Sequence, residues 1–146
     1  MIQRIQTIYL LLIFILSVLF LSGEIMSFEN GTYFTISGIH SVDSSVIQQY
    51  WPFTILMLIV PVLCLVIIFL YGNRKFQMLL TSFLIFGIVL LIIAGIYYTF
   101  FTIKTGTGLV FGVKLILPIL MLIFSILAYR GIRKDEAIVR SYDRLR

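Results

Sequence analysis

The sequence predicts an all-α membrane protein in which four transmembrane helices form a bundle. Of its 146 residues, 61% are hydrophobic and 12% are charged, whereas soluble domains carry about 25% charged residues. Four uncharged or nearly uncharged runs are each long enough to cross a hydrocarbon layer of ~30 Å as a helix. The formal net charge of +5 comes mostly from basic residues beside these runs, which is typical of membrane topology rather than of nucleic-acid binding.

The first predicted span covers residues 5–22 and follows a short polar head that contains Arg4. Its core is short and ends in the small residues Ser22 and Gly23, so a cleaved signal peptide is an alternative to a retained helix. The run has no A-x-A-like cleavage site, and about eighteen residues are enough to span a membrane. These two observations favour a retained first helix.

The stretch between the first two spans, residues 23–50, is the one long loop and has a different composition. It contains Glu24, Glu29 and Asp43 and has no Lys or Arg. Residues 32–37 alternate β-branched or aromatic with small polar side chains, and a turn sequence precedes them. This pattern predicts a short strand or a short β-hairpin that lies over the helix ends.

The second and third predicted spans, residues 52–71 and 78–100, form an antiparallel hairpin because only residues 72–77 connect them. Trp51 precedes the second span and suits the belt of aromatic residues at a membrane interface. Pro61 removes a backbone hydrogen bond in the middle of that span. We therefore expect a kink in the second helix.

Glycines on the third span suggest where helices pack closely. Gly87 and Gly95 lie eight residues apart, and helices in lipid approach each other where side chains are small. We expect the face with these two glycines to be in contact within the bundle. Gly108 and Gly112 form a G-x-x-x-G sequence, but it straddles a helix start and predicts a turn.

The fourth predicted span covers residues 109–129 and contains Lys114 and Pro118. A charged tail, residues 130–146, follows it and is expected to bend, if anywhere, at Gly131. No second apolar core is present outside the spans, so the whole chain is predicted to be a single membrane domain.

The tail predicts an amphipathic helix. Its apolar stripe consists of Ile138, Tyr142 and Leu145 at positions i, i+4 and i+7. Basic residues, including Arg140 and Arg144, surround this stripe. Such a helix either lies on anionic lipids of the inner leaflet or docks to a partner protein, and the pattern leaves both interpretations open.

The distribution of basic residues predicts the orientation of the bundle. With the N-terminus in the cytoplasm, nine Lys and Arg residues lie on the cytoplasmic side and only Lys104 lies in an outer loop. The positive-inside rule therefore predicts that both termini are cytoplasmic and that the acidic loop is outside. The nine residues are Arg4, Arg74, Lys75, Arg130, Arg133, Lys134, Arg140, Arg144 and Arg146.

Lys114 is the one ionisable residue well inside a predicted span, and such a residue is a functional candidate by default. It lies about 8 Å below the outer end of the fourth span, so its stem can reach the interface. Glu24 leaves the first span at the same level, and a Glu24–Lys114 ion pair would fasten the first helix to the fourth. The alternative is that Lys114 binds an anionic group or moves a proton.

The other polar residues do not match a catalytic or metal-binding pattern. His40 is the sole histidine and Cys64 the sole cysteine, so a metal site would depend on carboxylates and disulfide chemistry has no partner thiol. No G-x-S-x-G, H-E-x-x-H or phosphate-binding glycine loop is present. We therefore expect a non-enzymatic protein without a cofactor, a metal or a nucleic-acid partner.

Both ends of the chain carry a family resemblance. The opening MIQRIQTIYLLL and the ending AYRGIRKDEAIVRSYDRLR resemble the ends of a family of small bacterial membrane proteins catalogued as a domain of unknown function. The resemblance implies a multi-pass protein with four helices in the inner membrane of a diderm bacterium. It also implies a retained first helix, and it brings no activity, cofactor or catalytic residue with it.

Two function classes follow from these observations. The first is a non-enzymatic accessory or assembly subunit of a larger inner-membrane complex, with envelope protein export as one setting. Such a subunit would form a hetero-oligomer with other inner-membrane proteins through the outer loop and the basic C-terminal helix. The alternative is a small transporter or a lipid- or quinone-binding protein that uses Lys114 and the kinks at Pro61 and Pro118.

Overall fold

The computed structural model is mostly helical and describes residues 5–28, 33–40, 46–70, 72–103 and 109–143. Four α-helices form a ring in which each packs on the next along the chain, and the first packs on the last. Their bounds are Ile5–Leu21 for α1, Trp51–Phe69 for α2, Arg74–Ile103 for α3 and Leu117–Asp143 for α4.

Contacts between helix ends show that neighbouring helices run antiparallel. Gln6 at the start of α1 lies beside Gly131 in the middle of α4, whereas Ser22 after the end of α1 accepts a hydrogen bond from Lys114, which precedes α4. Gln77 near the start of α3 donates from Nε2 to the carbonyl oxygen of Ile67 near the end of α2, at 3.1 Å. Arg74 also donates from Nη1 to the carbonyl oxygen of Asp135, at 3.0 Å. The start of α3 is therefore fixed to the last part of α4.

Three of the described helical stretches are long and apolar enough to cross a membrane, namely Trp51–Phe69, Arg74–Thr99 and Val113–Val139. Helix α1 is apolar but shorter, with 17 residues, which is close to the lower limit of about 17 residues for a spanning helix. Its membrane crossing stays a prediction. The three long helices indicate a membrane protein.

Large apolar side chains cover the outside of all four helices. Leu11 on α1, Ile55 on α2, Phe83 on α3 and Ile123 on α4 are between 48% and 57% exposed. A helix that is apolar on its outer as well as its inner face suits a hydrocarbon environment. The outside of α1 is thus of the same kind as the outside of the three long helices.

Buried hydroxyls within the bundle bond to their own helices. Ser17, Thr81 and Ser125 are fully buried, and each donates to a carbonyl oxygen three or four residues earlier, at 2.7 Å. An unsatisfied hydroxyl is costly in an apolar environment, and this local bond removes most of that cost.

A five-stranded antiparallel sheet lies at the end of the bundle where α2 begins. Its strands are β1 (Met26–Phe28), β2 (Tyr33–Thr35), β3 (Gly38–His40), β4 (Val46–Gln49) and β5 (Leu109–Phe111), in the order β4-β3-β2-β1-β5. The predicted hairpin is therefore part of a larger sheet. Four strands come from the long loop, and β5 comes from the loop after α3.

The start of the fourth helix differs from the prediction. Residues 109–111 pair with β1, a short 3-10 helix covers Val113–Ile116, and α4 begins only at Leu117. A short apolar run such as Leu-Val-Phe suits a strand or a helix equally well, and here the edge of β1 decides between them. At its other end, α4 passes through Gly131 and continues as one helix to Asp143.

Candidate functional site

The junction between the sheet and the bundle brings together residues from all four helices. The backbone N–H of Ile25 donates to the carbonyl oxygen of Phe34, at 2.8 Å. Thr54 on α2 donates from Oγ1 to the carbonyl oxygen of Ile36, at 2.7 Å. These bonds hold β1 and β2 against the helix ends.

Aromatic rings fill the space between β2, α2 and α3. The ring of Phe34 lies 5.9 Å from those of Tyr50 and Phe53. Tyr98 on α3 lies 4.3 Å from Tyr50 and meets Phe53 edge to face at 6.1 Å. Such tilted and edge-to-face pairs add to the energy of burial, so this cluster helps to hold β2 against α2 and α3.

An apolar cavity of about 390 Å³ lies beside this cluster, below the sheet. Its walls come from the ends of α1 and α3, the starts of α2 and α4, and the first two strands. The lining residues are Phe20, Ile25, Met26, Phe34, Phe53, Leu91, Ile92, Gly95, Ile96, Thr99, Leu115, Pro118 and Ile119.

Two lining residues show where the cavity reaches the outer surface. Ile96 on α3 is 53% exposed and Ile119 on α4 is 52% exposed, whereas the inner wall, including Phe20 and Phe53, is buried. The mouth of the cavity therefore lies at the seam between α3 and α4. In a membrane this seam faces lipid.

Thr99 carries the one side-chain hydroxyl among the described lining residues, and that hydroxyl is already bonded. It donates to the carbonyl oxygen of Gly95 at 2.7 Å and lies 3.7 Å from the sulfur of Met26. The lining therefore presents hydrocarbon and a thioether to whatever occupies the cavity.

Gly95 keeps part of the cavity open, and sequence reasoning missed this role. A Cβ at Gly95 would meet only Phe53 Cε2, at 3.7 Å, whereas a Cβ at Gly87 would meet nothing within 4 Å. The prediction that both glycines lie in a packed face is therefore wrong for Gly87. Their spacing on α3 carries no signal that tells them apart.

Lys114 lies on the 3-10 helix at the edge of the same junction. Its Nζ donates to the carbonyl oxygen of Ser22, just after the end of α1. Gly23 follows with a φ of 72°, a left-handed conformation that glycine adopts without strain. Lys114 thus fastens α1 to the start of α4 through a backbone carbonyl. Glu24 is exposed, and its predicted ion pair with Lys114 stays a prediction.

His40 and Cys64, the other candidates for chemistry, lie in structural positions. The ring of His40 stacks on Tyr33 at 5.5 Å, and its Nε2 lies 3.0 Å from Ser37 Oγ. Cys64 is fully buried in α2. Within the part of the chain that the structure describes, no three His, Cys, Asp or Glu residues come together in a possible metal site.

The predicted docking tail is the last part of α4. Beyond the contact with Arg74, α4 continues for about 12 Å. Ile138 and Val139 are 46% and 41% exposed. The backbone of Arg140 and Tyr142 belongs to the helix, but their side chains lie outside what the structure describes. Arg144 and Leu145 lie wholly outside the described residues.

Comparisons with known proteins agree with the resemblance of the two chain ends. A family model described as "Domain of unknown function (DUF4293)" matches residues 2–145. No curated protein and no solved structure matches the chain. Since the matched region is nearly the whole chain, the resemblance is confirmed, and the protein belongs to the family described as Domain of unknown function (DUF4293).

Proposed function

We propose that this protein is a non-enzymatic accessory or assembly subunit of a larger complex in the bacterial inner membrane. The observation that carries the proposal is the last part of α4, which leaves the bundle as a continuous helix. Its apolar residues Ile138 and Val139 are exposed beside the basic residues Arg133 and Lys134. Exposed apolar residues flanked by charge are suited to docking against another protein.

The sheet is the second surface in this proposal. It combines strands from two separate loops, and the hydrogen bonds and aromatic rings at the junction hold it on the helix ends. A surface that is already held in place loses less conformational entropy when it binds, which favours its use in an interface. The subunit would thus contact partners on both sides of the membrane, and envelope protein export is one setting for such a role.

The orientation belongs to the same proposal. Arg74, Lys75, Arg130, Arg133 and Lys134 all lie at the end of the bundle opposite the sheet, so the positive-inside rule supports a cytoplasmic α4 end and an external sheet. Anionic lipids of the inner leaflet would then surround the basic end.

Cysteine labelling tests this orientation. We expect Ser37→Cys, in an exposed turn of the sheet, to react with a membrane-impermeant maleimide in spheroplasts, and Lys134→Cys to react only after permeabilisation. The parent chain is the control, because Cys64 is fully buried and should stay unlabelled. The reverse pattern for the two new cysteines would contradict the proposed orientation.

Photo-crosslinking tests the partner role. A benzoylphenylalanine at Val139 is expected to give a discrete protein adduct in cells, whereas the same residue at Ile123 should give lipid adducts only. The two positions are matched, since both lie on α4 and are 41% and 48% exposed. The adduct at Val139 should weaken in an Arg133→Gln, Lys134→Gln background. The accessory role is contradicted by an absence of protein adducts, or by the same adduct from both positions.

The alternative function, a small transporter or a lipid- or quinone-binding protein, has one observation in its favour. The apolar cavity below the sheet is a concave site with a mouth toward the membrane. Its lining favours an apolar ligand over a polar solute, because Thr99 already donates within its own helix. Within this alternative, lipid binding is therefore better supported than transport.

A further inference from the structure

We propose that the cavity below the sheet holds one acyl chain of a membrane phospholipid, which enters through the seam between α3 and α4. This site is independent of the accessory role, because it uses neither the outer surface of the sheet nor the end of α4. Four properties of the cavity support the proposal: its size, its lining, its depth in the membrane and the position of its mouth.

The size of the cavity is sufficient for a segment of a lipid. Its volume is about 390 Å³. An engineered apolar cavity of ~150 Å³ binds benzene, and the sites of typical small ligands begin at ~300 Å³. The cavity thus has room for a run of methylene groups, but a whole phospholipid would have to leave its headgroup and second chain outside.

The lining favours an acyl chain over the ring of a quinone. A buried quinone ring needs donors for its two carbonyl oxygens, because unpaired polar groups are costly in an apolar site. Among the described lining residues, Thr99 has the one side-chain hydroxyl, and its proton is donated to Gly95. An acyl chain needs no hydrogen bond, and it matches the other lining side chains, which are aliphatic or aromatic or carry a thioether.

The depth of the cavity places it within one leaflet. Counted along α3 from Arg74, Leu91 lies about 25 Å away at the ordinary helical rise. The hydrocarbon layer is ~30 Å thick, and Thr99 at the other end of the lining lies about 37 Å from Arg74 by the same count. The cavity therefore extends from the outer part of the hydrocarbon, in the leaflet nearer the sheet, into the interface. An acyl chain of this leaflet reaches the same depth while its headgroup stays at the interface.

The mouth faces the hydrophobic environment from which such a chain would come. Ile96 and Ile119 flank it, and both are half exposed on the outer surface. Above the mouth, the cavity is closed by Ile25, Met26 and Phe34, which belong to the sheet and its approach. The bilayer is therefore the direct source of the occupant, and the sheet limits access from water.

Two glycines on α3 supply a matched pair of variants for the test. Gly95→Leu directs a side chain into the cavity, where its Cβ has only an ordinary contact with Phe53. Gly87→Leu makes the same chemical change on the same helix, where the Cβ position faces open space. The pair separates filling of the cavity from general effects of leucine on the helix.

The full chain is reconstituted in nanodiscs with phosphatidylethanolamine that carries a diazirine near the end of one acyl chain. After irradiation, mass spectrometry maps the adducts. In the parent chain we expect adducts to concentrate at residues 91–99 and 115–119. In Gly95→Leu the yield of adducts should fall about tenfold. The leucine would displace roughly two methylenes of the acyl chain from the cavity, and that loss of burial weakens the binding of the chain by about this factor. In Gly87→Leu the yield should be unchanged.

A second pair of variants keeps the test decisive if Gly95→Leu does not fold. Ile96→Trp narrows the mouth of the cavity. Ile93→Trp is its control, because Ile93 lies outside the lining and its side chain is 57% exposed, compared with 53% for Ile96. Only Ile96→Trp should reduce the adducts. Equal yields within each folded pair would overturn the proposal, because the labelled lipids would then be ordinary neighbours of the bundle. Stronger labelling by an isoprenoid quinone with a diazirine in its tail would also overturn it.

Discussion

Replacing Gly112 with alanine is expected to destabilise the protein by about 3 kcal/mol or more, because the new methyl group collides with backbone atoms. A Cβ at Gly112 would collide with the carbonyl oxygen of Ile25 and would lie 3.0 Å from its carbonyl carbon. The φ of Gly112 is −74°, which suits any residue, so the cost comes from the close approach alone. Relief of the collision requires β5 and the segment before β1 to move apart.

Gly87→Ala is the control for this substitution. Its Cβ meets nothing within 4 Å, and alanine stabilises a helix by up to about 1 kcal/mol relative to glycine. Unfolding of the purified protein by SDS, added to dodecyl maltoside micelles, measures both variants. Gly112→Ala should unfold at a much lower SDS fraction than the parent, and Gly87→Ala at the same or a higher one. Equal stability of Gly112→Ala and the parent would contradict the described pairing of β1 and β5.

A leucine at Gly131 is expected to separate α1 from α4 at the end opposite the sheet. A Cβ there would lie 3.3 Å from Gln6 Cβ and 3.8 Å from Gln6 Cα and Oε1, which leaves no room for further atoms. Forcing a larger side chain into such a contact costs about 1–3 kcal/mol. Alanine should have a smaller effect, because its tight contact is partly offset by its better helix propensity.

The series Gly131→Ala and Gly131→Leu is measured by the same SDS unfolding, with Gly87→Leu as the control in open space. Stability should fall from alanine to leucine at Gly131 and should not fall at Gly87.

The stability of Gly131→Leu also tests whether the first helix is retained. If α1 were removed as a signal peptide, Gly131 would have no Gln6 beside it, and leucine would cost nothing. Unchanged stability of Gly131→Leu would therefore contradict a retained α1.

The sequence was sufficient for features that depend on local composition. Hydropathy over some twenty residues predicts a spanning helix because the membrane imposes that length on any chain that crosses it. The predicted spans at residues 52–71 and 78–100 overlap α2 and α3 closely. The alternation of side-chain types around Tyr33–Thr35 predicts a strand, and this pattern too is read from neighbouring residues alone. The family, too, is recognisable from the two chain ends.

Tertiary structure decided the features in which two distant segments meet. Residues 109–111 are apolar enough for a helix, but pairing with β1 makes them a strand, and β1 lies some eighty residues earlier in the chain. The close approach of Gly112 to Ile25 follows from that pairing. Lys114 lies on the 3-10 helix rather than on α4, and from there it donates to the carbonyl oxygen of Ser22.

The cavity shows most clearly the difference between what local sequence determines and what tertiary contacts determine. Gly87 and Gly95 are the same residue type on the same helix, yet one faces open space and the other borders an apolar cavity. Hydropathy cannot separate them, because it reports how apolar a segment is and not which of its faces meets another helix. By itself the sequence determined that this chain enters a membrane as a helical bundle. Only the packing of α3 and α4 under the sheet decided where the apolar cavity lies.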